Sequence, residues 1–578
     1  MSSSTSRSDI LGRRWLVVPA PDEAAAALLA RELNVPSRFA GLLLQRGHGA
    51  PDAARRFLRP SREDLHDPAL LPDLPRAVAR LADAVRAGET IFVHGDYDVD
   101  GQCATAILTR VLRHAGGTVM PFVPHRLRDG YDLPDAGVRA AVEAGARLLV
   151  LLDCGTTALD AVRSARGAGM DVIVVDHHLP GDRFPDALAF VNPRRPDSAY
   201  PFPDLCGAGL AWKLALAVAD ALGVPEGLPW RLLDLAALAT VADLVPLTGE
   251  NRVLVRFGLK VMMETRWLGL AALIAEAGLR GKPLRAGHLG YSLGPRLNAA
   301  GRVGEAGDGL RLLLTDDPAE ADTLAAQLGR QNAERQALDQ RTLEEALALL
   351  EGAFDPARDV GVVLARDGWH PGVIGIVASR VQERLARPIF LIAFDGDTGK
   401  GSGRSVAGCD LHAALARCAP LLEKWGGHRM AAGLTIARGR LDAFREAFNA
   451  ACAEQVAVES LVPTQRVDGV VPIGDLTDEL ERLVRALEPT GMGNPNPVFG
   501  LEWLSLRGGL RPIGERHVRF ALTDGRAVLE TVAFGARAEV ERVVGAARGP
   551  LRAAVRLERD TWNGRDRLEG RLLTLAAD

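Results

Sequence analysis

Three uninterrupted apolar runs, at residues 91–93, 148–152 and 172–175, each end in carboxylates or imidazoles, and this recurrence constrains the fold more than any other feature. The first run leads into His94-Gly-Asp96-Tyr-Asp98-Val-Asp100-Gly101, the second into Asp153-Cys-Gly155, and the third into Asp176-His177-His178. Apolar runs without alternation suit strands buried on both faces, as in parallel sheets. Helix-like stretches at 104–115, 135–144 and 158–168, each closed by glycine, lie between the runs. The pattern predicts a βαβαβ unit, in which functional residues gather beyond the carboxyl ends of the strands. A helix-capping role for each aspartate accounts for one such residue but not for all of them. Read as an extended segment, Asp96, Asp98 and Asp100 point one way, and their repulsion requires either bulk water or a cation. Oxygen ligands with one imidazole suit Mg²⁺ or Mn²⁺.

The HxDxDxDG, LDxG and DHH elements resemble motifs I to III of the DHH phosphoesterases, and Ala239-Thr-Val-Ala-Asp243-Leu-Val-Pro246 resembles motif IV. Gly401-Ser402-Gly-Arg404-Ser405 and Trp425-Gly426-Gly427-His428-Arg-Met-Ala-Ala-Gly433 are similar to the DHHA1 domain that accompanies them. Within this superfamily the chain is most similar to the bacterial single-stranded-DNA-specific exonucleases. That likeness rests on Gly294-Pro-Arg296-Leu-Asn298-Ala-Ala-Gly301-Arg302 and Pro489-Thr-Gly-Met-Gly-Asn-Pro-Asn-Pro-Val-Phe499, which the short members lack.

The resemblance implies an α/β protein: a doubly wound parallel-sheet DHH domain, a long connecting helix, an α/β DHHA1 domain and a C-terminal β-barrel of the OB-fold. It implies two divalent cations, Mn²⁺ or Mg²⁺, with His94, Asp98 and Asp153 on one, and Asp100, His177, Asp153 and Asp243 on the other. His178 would face the phosphate, and Asp96 and Asp176 would orient ligands. Substrate contacts would come from Arg126, Arg296, Asn298, Ser402, Arg404, Ser405, Gly426, Gly427 and His428, with the 5′ phosphate held by Arg126, Arg296, Ser402 and Arg404. The implied activity is 5′-to-3′ degradation of single-stranded DNA to 5′-mononucleotides in DNA repair and recombination. A helicase and a single-strand-binding protein are the implied partners of a monomer.

Chain breakers divide the sequence into a mainly helical lead-in (1–85), the DHH domain (86–316), the connecting helix (317–351), the DHHA1 domain (352–463) and the barrel (464–578). Motif IV falls on a helix-like segment, 230–242. Asp317 can cap the connecting helix, Pro318 suits its first position and Glu320 completes a capping-box-like pattern. In the second domain, strands are expected at 361–364 and 388–393. The glycine-rich stretches 399–405 and 426–428 read as loops whose N–H groups can approach a phosphate. Beyond 464, short strands such as 518–522 alternate with turns, and Trp562-Asn563-Gly564 signals a hairpin. Trp503, Phe520, Phe534 and Trp562 are candidates for stacking on bases, with core positions expected for most of them.

The six cysteines include no C-x-x-C pair, which argues against a zinc site or a disulfide framework. Cys154, beside Asp153, reads as a small packed residue. Net charge is −4, yet residues 501–578 carry 14 Arg against 11 acidic residues. The 64 Arg against 5 Lys favour forked phosphate contacts but also fit a base-composition bias. No apolar run approaches the ~18 residues of a membrane span, and the first residues lack the apolar core of a signal peptide, which predicts a cytoplasmic protein. Three readings remain at this level: the exonuclease, a DHH phosphodiesterase acting on short oligoribonucleotides, cyclic dinucleotides or pyrophosphate, and a non-catalytic DHH-like scaffold of a replication helicase. The full ligand set disfavours the scaffold, and the added C-terminal elements disfavour a short substrate.

Overall fold

The computed structural model describes residues 13–125, 128–130, 132–560 and 566–577. Arg126 and the expected hairpin at Trp562, Asn563 and Gly564 lie outside these residues. The chain divides into two compact units: Ala50–Arg335 with Leu487–Pro495, and Met1–Gly49 with Gln336–Ala486 and Asn496–Asp578. The lead-in expected as one helical piece is therefore shared, and its residues 14–17 form a strand parallel to Thr464–Val467.

The first unit is built on five parallel strands, β1 (Thr90–Gly95), β2 (Thr118–Phe122), β3 (Leu148–Leu152), β4 (Asp171–Val175) and β5 (Ala189–Val191), in the order β2-β1-β3-β4-β5. Alternate residues of the apolar runs serve opposite faces of this sheet. Ile91, Val93, Leu148, Val150, Leu152, Ile173 and Val175 enter one core, whereas Phe92, Leu149, Leu151, Val172 and Val174 enter another. Each buried aliphatic side chain contributes ~1.5–3 kcal/mol, which explains runs with no polar residue. The strand order reverses between β1 and β3, and the crevice at such a reversal is where open α/β sheets bind ligands.

Helix Val99–His114 follows β1 and begins five residues earlier than the apolar pattern indicates, because Asp98 caps it. The expected helix 230–242 is broken at Leu232 into Gly227–Arg231 and Leu233–Ala242. Helix Pro318–Leu350 spans the boundary between the units along the chain. Asp317 caps it through the Ala319 N–H at 2.8 Å. Glu320 instead bonds Thr315 and Arg311, and the Asp317 N–H goes to Thr315 Oγ1 at 3.2 Å, so the reciprocal arm of a capping box is not made.

In the second unit, β6 (Val362–Asp367), β7 (Ile389–Asp395), β8 (Thr398–Arg404), β9 (Lys424–Gly427) and β10 (Ala431–Ala437) form a sheet in the order β9-β10-β8-β7-β6. Helix Ile374–Leu385 covers one face, and helices Leu411–Cys418 and Leu441–Ala453 cover the other. The glycine-rich stretch expected as a phosphate-cradling loop is strand β8. It pairs on both sides, with β7 and β10, so the sheet takes its backbone groups and they form no open nest.

Five further strands, β11 (Phe499–Leu506), β12 (His517–Thr523), β13 (Val528–Ala533), β14 (Leu551–Asp560) and β15 (Arg567–Ala577), close into a barrel as β11-β14-β15-β13-β12-β11. A bulge between Leu501 and Leu504 keeps both leucines inside and turns Glu502 and Trp503 outward. Trp503 is 73% exposed and Phe534 53%, whereas Phe520 is fully buried. Among the described candidates for stacking, then, the core claims only Phe520. No helix among the described residues is long and apolar enough to cross a membrane.

Candidate metal centre

The carboxyl ends of β1, β3 and β4 deliver Asp96–Asp100, Asp153 and Asp176–His178 to one edge of the sheet, and Asp243 joins them from the end of helix Leu233–Ala242. Three groups of ligand atoms form there, each with its atoms within 4.8 Å of one another: Asp153, Asp176, His177 and His178, and two smaller ones, Asp96, Asp98 and Asp153, and Asp100, His177 and Asp243. His177 Nε2 links them, lying 3.1 Å from Asp153 Oδ1 and 3.8 Å from both Asp100 Oδ2 and Asp243 Oδ2.

The local sequence explains this division. The acidic segment is not extended, because Asp98 already caps a helix through the N–H groups of Asp100 and Gly101 at 2.8 and 3.1 Å. Asp100 is thereby rotated away from its neighbours. Its two oxygens accept the N–H groups of Gly207 and Ala208, both at 2.7 Å, at the positive end of helix Gly207–Ala221. Gly207 must be glycine, since a Cβ there would come within 2.5 Å of Asp153 Cβ. Asp153 itself sits at φ 62°, a strained conformation for a residue with a side chain.

His94 follows a different course from the one the resemblance implies. It lies on β1 with Phe92 and stacks on Phe122, with ring centroids 5.3 Å apart. Its Nε2 is 3.2 Å from the Asp132 carbonyl, and it belongs to none of the ligand groups among the described residues. Burial, partly opposed by that backbone contact, lowers its pKa to about 4, so it is neutral. The period of two along the strand points the ring to the same face as Phe92, while Asp96, past the strand end, turns into the cluster.

Electrostatics show what this edge needs. Burial, followed by the charges of Asp100, Asp98, Asp243 and Asp96, pushes the Asp153 carboxyl well above its usual range. Burial and the charges of Asp100 and Asp98 push Asp243 up to about 9. Carboxylates this close stay ionised only if cations offset them. Asp153 Oδ1 and His177 Nδ1 are also buried without a hydrogen bond, His177 Nε2 being out of line for one. The donor set of aspartates with one imidazole fits divalent Mn²⁺ or Mg²⁺.

Asp176 has a different task. Its Oδ1 accepts from the His177 N–H, the His178 N–H and His178 Nδ1 at 2.7, 3.2 and 2.8 Å, and its Oδ2 accepts from the Thr156 N–H at 3.0 Å. Its Oδ1 orients the two histidines, and its Oδ2 anchors the Thr156 amide. Burial opposes charge on His178, but the hydrogen bond to Asp176 and that carboxylate's charge outweigh it and raise the pKa to about 9.

Family models for the DHH family N-terminal domain, the DHHA1 domain and the RecJ OB domain match residues 90–240, 359–454 and 467–573. The single-stranded-DNA-specific exonuclease RecJ of Bacillus subtilis is 34% identical over 556 residues, covering 96% of this chain and 69% of that protein. Its counterpart from Thermus thermophilus is 40% identical over 520 residues, covering 89% and 72%. The chain belongs to the RecJ family. A crystal structure of RecJ in complex with Mn²⁺ from Thermus thermophilus superposes with a TM-score of 0.82 at 35% identity, covering 98% of this chain and 80% of that one. A second crystal structure of RecJ from this organism, in complex with Mg²⁺, gives 0.78 at 33% identity, covering 98% and 78%.

The residues expected to touch substrate are placed as follows. Asn298 Oδ1 accepts the Val99 N–H at 3.2 Å and so supports the start of the helix that Asp98 caps. Arg296 pairs with Glu276 and donates to the Ser292 carbonyl at 2.8 Å. In the second unit, Arg404 Nη1 donates to Ser402 Oγ at 3.3 Å and to the Gly403 carbonyl at 2.7 Å, and its Nε to Ser379 Oγ at 3.1 Å. Ser405 is buried and gives its hydroxyl to the Cys409 carbonyl at 2.7 Å, which makes it a core contact. Gly426 and Gly427 end β9, and His428, in the exposed turn to β10, closes that turn through its N–H to the Ala431 carbonyl at 2.8 Å. Cys154 is buried in the core that holds Phe92, Leu149 and Leu151, as expected.

Three features escape the sequence reading. Asn192, fully buried, donates to the carbonyl of His178 at 2.9 Å and to Thr156 Oγ1 at 3.2 Å. Asp132 holds the Gly155 N–H at 2.6 Å and Thr157 Oγ1 at 2.8 Å, tying down the loop after Asp153. Gly375, in the first turn of helix Ile374–Leu385, lies beneath Ser402 and Arg404, where a Cβ would meet Ser402 Oγ at 2.9 Å. Only the last carried a signal, the His370-Pro-Gly cluster that opens the helix.

Proposed function

We propose that this chain is a two-metal-dependent exonuclease that degrades single-stranded DNA from its 5′ end and releases 5′-mononucleotides. The observation that carries the reading is the pair of ligand groups, Asp96, Asp98 and Asp153 beside Asp100, His177 and Asp243, that the 3.1 Å approach of His177 Nε2 to Asp153 Oδ1 brings together. Asp96, Asp98 and Asp153 would hold one cation, with Asp96 in the place the resemblance gave to His94. Asp100, His177, Asp243 and Asp153 would hold the other. When bound, the cations supply Lewis acidity at the scissile phosphate, a lowered pKa for the attacking water and charge opposite the leaving 3′ oxygen. Asp176 holds His178 by its Nδ1, and the other ring nitrogen of His178 donates a hydrogen bond to a phosphate oxygen. The amide groups of Gly207 and Ala208 fix Asp100, so ligand geometry is set before substrate arrives.

In the second unit, the terminal phosphate is assigned to Ser402 and Arg404, supported by their place over the N-terminal turn of helix Ile374–Leu385, where backbone dipoles favour an anion. Gly426, Gly427 and His428 form a further exposed contact. Arg296 offers a backbone phosphate contact in the catalytic unit once Glu276 is displaced. Trp503 and Phe534 are the stacking groups of the barrel. Because duplex must first be opened, the enzyme works in the cytoplasm as a monomer with a helicase and a single-strand-binding protein, in DNA repair and recombination.

The test uses 5′-labelled and 3′-labelled single strands and duplexes, with Mn²⁺, Mg²⁺ or chelator, and sizes the products. The 5′-labelled strand should yield labelled mononucleotide from the first turnovers, and the 3′-labelled strand a shrinking ladder. Chelator and Asp153→Ala should each abolish turnover. Product release from the 3′ end, or undiminished cleavage of duplex or in chelator, would overturn the assignment.

A further inference from the structure

Asp243 stands at the C-terminal end of helix Leu233–Ala242, and residues 244–248 link it to helix Gly249–Met263. What holds this link comes from far along the chain. Leu487–Pro495 is flanked on both sides by residues of the second unit, yet it packs in the catalytic one. The Leu247 N–H donates to the Met492 carbonyl at 2.8 Å. Two glycines allow the approach: a Cβ on Gly491 would come within 2.8 Å of Leu247 Cδ1, and one on Gly493 within 2.9 Å of Pro246 Cβ. Gly493 also sits at φ 70°, where a side chain is strained.

The segment is itself locked. Asn494 Nδ2 donates to the carbonyls of Leu487 and Pro489 at 2.8 and 2.9 Å. Arg252, 2% exposed, donates to the carbonyls of Leu487, Glu488 and Pro489 at 2.7, 2.9 and 3.2 Å, and to that of Phe57 at 2.6 Å. Next to it, Asn251 Nδ2 donates to the Pro246 carbonyl at 3.0 Å and to that of Asp204 at 2.6 Å. A guanidinium engaged at four carbonyls fixes backbone rather than side chains, which suits a scaffold whose output is the path of a loop.

We infer that Leu487–Pro495, locked by Arg252 and Asn494, is a positioning element for Asp243: it holds the link through Pro246 and Leu247 and so sets that carboxylate opposite Asp100 and His177. The inference rests on the assignment of Asp243 to the second cation. It gives the segment a task at the metal centre although it supplies none of the proposed ligands.

The test is calorimetric and EPR titration of metal-free, full-length protein with Mn²⁺, with circular dichroism to verify folding. Wild type should bind two ions, and Asp243→Asn should lose one site. Gly493→Ala should weaken only the second site, by about tenfold, the scale on which supporting contacts tune metal affinity. Raising Mn²⁺ should then restore its kcat. Gly491→Ala should shift the same site less, because only the flexible end of Leu247 must give. Should Gly493→Ala fail to fold, Gly491→Ala decides. Wild-type affinity at the second site in the folded variant, or equal weakening of both sites, overturns the positioning role. A wild type that binds one ion, or an Asp243→Asn protein that keeps two, overturns the metal assignment instead.

Discussion

Replacing Gly207 by alanine should separate helix stability from catalysis. The position opens helix Gly207–Ala221, where alanine is favoured over glycine by up to ~1 kcal/mol. The new Cβ, however, would lie 2.5 Å from Asp153 Cβ and 2.8 Å from its Oδ1, whereas ordinary contacts begin at 3.4 Å. Either the helix N-terminus or Asp153 must move by about 0.9 Å, the difference between those two distances, and each holds part of the centre. Asp153 is the weaker party, since its backbone is already strained at φ 62°. A misplacement near 1 Å at a reacting centre costs about 100-fold in rate, or ~2.7 kcal/mol of barrier. The assay is single-turnover cleavage of a 5′-labelled strand at saturating Mn²⁺, beside thermal melting in chelator. Gly209→Ala is the control, because its Cβ would meet Leu205 and Leu254 at 3.4 and 3.5 Å, ordinary contact, and activity should be unchanged. If Gly207→Ala kept more than about a third of the wild-type rate, under one unit on the tenfold scale, the close packing of Gly207 on Asp153 would not be what sets the ligand geometry.

Ser405→Ala should lower thermal stability, since it strips a hydrogen bond from the buried Cys409 carbonyl at a cost of ~1–3 kcal/mol, and should leave preference for a 5′ phosphate intact; Arg404→Ala should do the reverse, and a lost preference in Ser405→Ala would return that residue to the substrate site. Trp503→Ala should weaken binding to long single strands by ~1–3 kcal/mol without changing the melt, whereas Phe520→Ala should cost ~3–5 kcal/mol of barrel stability; affinity unchanged in the first would move Trp503 to a role in partner binding. Asp234, fully buried and bonded to Thr265 Oγ1 at 2.7 Å, has its pKa raised by burial to about 7, its hydrogen bonds opposing. Between its unfolded value of 3.8 and about 7 the native state keeps a proton that the unfolded chain has lost, so stability falls as pH rises through that window. Asp234→Asn should flatten that fall and melt higher than wild type at pH ~8, and equal melting-against-pH curves for the two proteins would refute the shift.

The sheet and the edge that carries the metal centre were legible because both depend on short-range pattern: apolar runs buried on two faces, each ending in ligands. The connecting helix was legible for the same reason, through Asp317 and Pro318. Other features depend on contacts between distant segments or on which neighbour a group finds, and spacing alone does not encode these. Asp96 reaches the cluster and His94 does not because strand β1 ends between them, a boundary no apolar run marks. The glycines of β8 read as a loop because glycine in a strand and glycine in a phosphate nest look alike until their neighbours are known; here β7 and β10 claim the backbone, and Phe390 fills the space a Cβ on Gly403 would take, 2.4 Å from its Cζ. The proline- and glycine-rich stretch near residue 490 entered the sequence reading only as a motif that the short family members lack, within the segment assigned to the barrel. Its glycines are required by Leu247 and Pro246, and its carbonyls by Arg252, partners more than 200 residues away. A run of turn-forming residues in this chain is thus a packed part of the catalytic unit, and its composition follows from how closely two backbones must approach beside Asp243.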